Sequence, residues 1–74
     1  MANGFVHTVF KDEEWINEIE GGKKFGAGYA TKEDAVGAGR ERAKKDATEH
    51  VIHNQDGKIG ERYSYGDDPA SRPG

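Results

Sequence analysis

The sequence predicts an α+β domain: a small antiparallel sheet of four to five strands, in the order β-β-(β)-α-β-β, with one helix packed on one face. Residues 31–47 read as a single helix with a start signal and charges placed for its dipole. The remaining large apolar residues are mostly Val, Ile and aromatics, and none is Leu, a set that favours strands. Glycine- and acid-rich turns separate the runs.

Phe5 to Phe10 and Trp15 to Glu20 form the first hairpin, joined by the charged loop Lys11-Asp12-Glu13-Glu14. If Phe10 and Trp15 are neighbours, one face carries Val6, Thr8, Phe10, Trp15, Asn17 and Ile19, with Thr8 opposite Asn17. The other carries Phe5, His7, Val9, Ile16, Glu18 and Glu20. Gly21-Gly22-Lys23-Lys24 turns the chain into a third short strand, Phe25 to Tyr29.

The helix begins at about residue 32, where Thr31 precedes the run with Asp34 three positions on, a capping-box pattern. Glu33 and Asp34 suit the positive end of the dipole, and Arg42, Lys44 and Lys45 the negative end. Ala35, Gly39, Ala43 and Ala47, spaced by four, make a stripe of small side chains that lets the backbone lie close to a flat surface. Glu49 to Asn54 and Lys58 to Tyr65 then pair around Asn54-Gln55-Asp56-Gly57. In that register His53 opposes Ile59, Val51 shares a face with Ile59, Tyr63 and Tyr65, and His50, Ile52 and Arg62 take the other. Residues 4–66 make one domain, and the polar, proline-containing residues 67–74 read as a disordered tail.

Composition excludes several functions. Without cysteine there is no disulfide or thiolate metal site, and a reducing cytoplasm is the natural compartment. No stretch resembles a signal peptide or approaches membrane-spanning length. A net charge of −3 is the wrong sign for a dedicated duplex binder and argues against nucleic acid.

His7, Trp15 and Gly21, then Thr31-Lys32-Glu33-Asp34-Ala35, Glu49-His50-Val51-Ile52-His53, Asp56-Gly57-Lys58-Ile59 and Ser64-Tyr65-Gly66, together resemble the small bacterial family DUF2188 over residues 7–68. The resemblance implies a hairpin, helix, hairpin domain with no established activity. Asn17 stands where the family tends to have an apolar residue, and a buried amide there needs a partner, for which Thr8 is the candidate.

No constellation recommends catalysis, a cofactor or a metal. Gly26-Ala27-Gly28 lacks the third glycine and the crossover context of a dinucleotide-binding turn. His50 and His53, three apart on a strand, point to opposite faces and do not chelate one ion. His7 and Glu18 are placed to pair across the hairpin, a surface contact rather than an acid-base couple. No nucleophile has a base and orienter at hand, so the chain reads as a nonenzyme.

The leading expectation concerns coverage. One helix lids one face, yet Phe5, Val9, Ile16 and Ile52 are assigned to the other, which makes that face the expected site of a homodimer or another protein partner. The alternative is weak single-strand nucleic-acid binding through Lys23, Lys24, Phe25 and Tyr29 with the helix cations Arg40 and Lys44.

Overall fold

A computed structural model describes residues 4–66; the expected disordered tail, residues 67–74, lies outside the described residues. The elements are β1 (Val6–Lys11), β2 (Glu14–Ile19), β3 (Lys23–Tyr29), α1 (Lys32–Asp46), β4 (Glu49–His53) and β5 (Ile59–Ser64). They form one five-stranded sheet in the order β3-β2-β1-β4-β5, with α1 packed on one face. The α+β class, the strand succession and the single lid are as the sequence predicts.

The expected antiparallel sheet is corrected to a mixed one, because β4 lies parallel to β1 while every other pair is antiparallel. β3 runs in the same direction as β1, both being antiparallel to β2. The helix carries the chain back to the starting end, so β4 enters in that direction too.

The first hairpin turns more tightly than a four-residue loop. Lys11 pairs with Glu14, leaving Asp12 (φ 52°) and Glu13 (φ 65°) as the two central residues of a type I′ turn. The expected pairing of Phe10 with Trp15 and of Thr8 with Asn17 is present.

Thr31 caps α1, its hydroxyl accepting from the Asp34 amide at 3.2 Å. At the other end Ala47 adopts the left-handed conformation (φ 54°), donating to Lys44 O while Thr48 donates to Ala43 O, the paired bonds of a Schellman ending. Ala35, Gly39 and Ala43 are the buried helix residues, which is the small stripe set against the sheet.

Beneath the helix lie Val6, Thr8, Trp15, Asn17, His50 and Ile52, all buried. Phe10 tilts against Trp15, and the Lys32 ammonium sits 5.7 Å from the Trp15 ring centre. Ile52 is therefore corrected: it pairs with Thr8 and shares the helix-covered face, not the opposite one. The face assignments of the last strand change as well. His53 does oppose Ile59, but the register shifts between Ile52 and His53, so Tyr63 sits opposite His50 and Arg62 opposite Val51. One extra residue at Gly60 exchanges the two faces of β5 for the rest of its length.

Candidate functional site

Three places concentrate polar chemistry or exposure. The first is a buried row across β2, β1 and β4. Thr8 Oγ1 donates to Asn17 Oδ1 at 2.6 Å, lies 2.7 Å from His50 Nε2, and Asn17 Nδ2 donates to Ala35 O at 3.0 Å. Thr8 thus is the partner that a buried Asn17 required. Burial, reinforced by the charge of Arg40 and by His7, lowers the His50 pKa from 6.5 to about 4, so the ring is neutral at pH 7. Its Nδ1 is buried without a hydrogen-bond partner among the described residues. With Thr8, Asn17 and His50 each at most 1% exposed, the row is sealed from solvent and ties three strands to the helix.

The second place is the face away from the helix. Ile16 is 5% and Val51 3% exposed, while Phe5 and Val9 are half-buried. Charged side chains roof these groups: Lys11 reaches Glu18 at 3.4 Å, and the Arg62 guanidinium lies 5.9 Å from the centre of the Phe5 ring. A shallow hollow of about 250 Å3 remains over Ile16, rimmed by Lys11, Asp12, Glu14, Glu18 and Lys24. On the same face His7 joins two groups. Its Nε2 meets Glu20 Oε1 at 2.9 Å, and its Nδ1 meets His53 Nε2 at 3.0 Å. The carboxylate partner of His7 is thus Glu20, one turn of the pleat beyond the expected Glu18. His50 and His53 point to opposite faces, as their spacing requires. Among the described residues no three His, Asp or Glu side chains form a ready metal cage.

The third place is β5. All six of its residues are exposed, including Ile59 (58%) and Tyr63 (46%), the most exposed large apolar side chains among the described residues. The helix packs on β1 to β4 and leaves β5 uncovered. Tyr65 N donates to Thr48 O, which fixes the phase of the ladder: the main-chain groups of Glu61 and Tyr63 face β4, and those of Arg62 and Ser64 face outward. Glu61 lies beside Tyr63, its carboxylate 3.3 Å from the phenol and holding the phenol pKa above its ordinary value.

The residues expected to hold a single strand of nucleic acid are not brought onto one surface. The register sets Lys23, Phe25 and Tyr29 on the helix side of β3 and Lys24 on the far side, opposite Glu18. The Phe25 ring is stacked by the Arg42 guanidinium at 4.8 Å. Arg40 acts instead on His50 and Tyr63, and Lys44 sits 5.9 Å from the Tyr65 ring, on the flank of the helix toward β5. Sequence reasoning missed the His7–His53 pair and the open edge at β5, because both follow from β4 docking beside β1.

No helix among the described residues is long and apolar enough to cross a membrane. No curated protein and no solved structure matches the chain. Residues 6–65 match the family model described as an uncharacterized protein conserved in bacteria, DUF2188. With 60 of 74 residues inside that match, the chain belongs to the DUF2188 family.

Proposed function

We propose that this domain is a noncatalytic, cytoplasmic protein-interaction module that takes up an extended segment, in the first instance β5 of a second copy, by strand addition at the outer edge of its own β5. The observation that carries the reading is the exposure of that strand on both faces, with the amides of Arg62 and Ser64 turned outward. An edge of this kind is a template for another strand unless something guards it. The opposite edge is guarded, since β3 opens with the exposed lysines Lys23 and Lys24. On β5 an incoming strand also covers Tyr63 on one side and, on the other, reaches the Arg62 and Phe5 stack. The self-association expected from Phe5, Val9 and Ile16 therefore moves toward the β5 end of the sheet, since those three are already largely roofed within one chain. The absence of cysteine supports the compartment.

Arg62→Pro tests this. Proline at an outward-facing edge position removes one amide from the open edge without taking a bond from the β4 ladder. Sedimentation at high micromolar concentration should show a dimer for the parent chain and a monomer for the variant, both with the same circular dichroism. A strictly monomeric parent ends the second-copy form. The other reading rests on the exposed Lys23, which shares the helix side of β3 with Phe25 and Tyr29, and it requires salt-sensitive binding of a labelled single-stranded oligonucleotide that Lys23→Glu weakens.

A further inference from the structure

We propose that His7 and His53 form a two-imidazole site for a divalent transition-metal ion of the zinc, nickel and copper group, seated between His7 Nδ1 and His53 Nε2. The two nitrogens stand 3.0 Å apart on the face away from the helix. An ion that takes imidazole nitrogen at about 2.0–2.1 Å, with the two ligands at an angle between square and tetrahedral, spans about 3 Å between them. The rings therefore need to turn but not to separate.

The protons are arranged for it. Glu20 Oε1, 2.9 Å from His7 Nε2, accepts the proton of that nitrogen, and in the neutral ring this leaves Nδ1 as a lone pair. His53 Nε2–H then donates to that lone pair. A metal ion takes the place of this one shared proton: the His53 ring proton moves through solvent from Nε2 to Nδ1, and both facing nitrogens offer lone pairs. A carboxylate behind a ligating histidine is the outer-shell partner that orients the ring and raises its basicity, and Glu20 occupies that position.

The frame is rigid. His7 stands in the central strand β1 and His53 at the end of β4, its parallel neighbour, so the pair is positioned by a ladder and not by loops. Both rings are half-buried, which leaves room for water in the remaining coordination positions.

The test uses the full chain, stripped with chelator and free of any histidine tag. Copper(II), nickel(II) and zinc(II) are each titrated calorimetrically near pH 7.5. The expected result is one ion per chain, with binding weakened at least tenfold in His53→Ala and in His7→Ala, and about tenfold in Glu20→Gln. The copper(II) form should show a paramagnetic resonance spectrum with two equatorial nitrogens in the parent chain and fewer in His53→Ala. His53 ends its strand and is half-buried, so this variant keeps the test open if His7→Ala fails to fold. Absence of binding to all three ions, or binding that His53→Ala leaves unchanged, overturns the proposal.

Discussion

Thr8 Oγ1 and His50 Nε2 stand 2.7 Å apart, and the proton between them belongs to the histidine. The Thr8 hydroxyl has one hydrogen and gives it to Asn17 Oδ1, so toward His50 it only accepts. His50 is therefore the Nε2–H tautomer, with a buried and unpartnered Nδ1 lone pair.

This neutral ring makes stability depend on pH. The unfolded chain protonates His50 near 6.5 and the folded chain near 4, so between those values the unfolded state holds more protons and stability falls as pH falls. The full difference is about 3 kcal/mol, present above pH 6.5 and lost by pH 4. Urea unfolding of the parent chain and of His50→Gln across this window should show that slope in the parent and a flatter one in the variant. Parallel slopes would mean that the ring titrates normally inside the fold.

The same row separates two glycines of one helix. A Cβ at Gly39 would stand 2.6 Å from His50 Nε2, 2.7 Å from Asn17 Oδ1 and 2.9 Å from Thr8 Oγ1, whereas a Cβ at Gly37 meets nothing within 4 Å. Gly37→Ala should stabilise by about 1 kcal/mol through helix propensity. Gly39→Ala should destabilise by about 1–3 kcal/mol, because crowding in a filled interior outweighs the same gain. Thermal melts of the two variants give opposite signs.

Ala47 ends the helix at φ 54°, a region that charges an alanine roughly 1 kcal/mol or more and glycine almost nothing. Ala47→Gly should therefore raise stability by about 0.5–1 kcal/mol, read as a higher denaturation midpoint with an unchanged slope.

The first hairpin turn offers a gain of the same origin. Asp12 and Glu13 both hold positive φ, the conformation for which Asn-Gly is preferred. The double change Asp12→Asn and Glu13→Gly should stabilise by roughly 1 kcal/mol without altering the β1–β2 register, which amide exchange of the β2 residues would report.

Much of the fold was legible because it is written over short distances. The helix start at Thr31, the small stripe, the pairing of Phe10 with Trp15 and the partnership of Thr8 with Asn17 follow from periodicity, capping chemistry and a short loop. The second hairpin was half legible: His53 opposite Ile59 was readable from the turn, but the extra residue at Gly60 reversed the faces beyond it. Ile59, Tyr63 and Tyr65 keep one alternation along the chain, so the pattern by itself places them on one face, whereas the extra residue puts Ile59 and Tyr63 on opposite faces.

By itself the sequence determined the class, the succession of elements and the first hairpin, each set by residues close along the chain. Only the tertiary structure decided that β4 lies parallel to β1, that Ile52 goes beneath the helix, that His7 meets His53 and that β5 stays open. These contacts join residues as much as 46 positions apart, and they form when the helix closes over the sheet and carries β4 back beside β1. The closing surface is small residues over a polar row, and neither half of it shows its partner until the two are brought together.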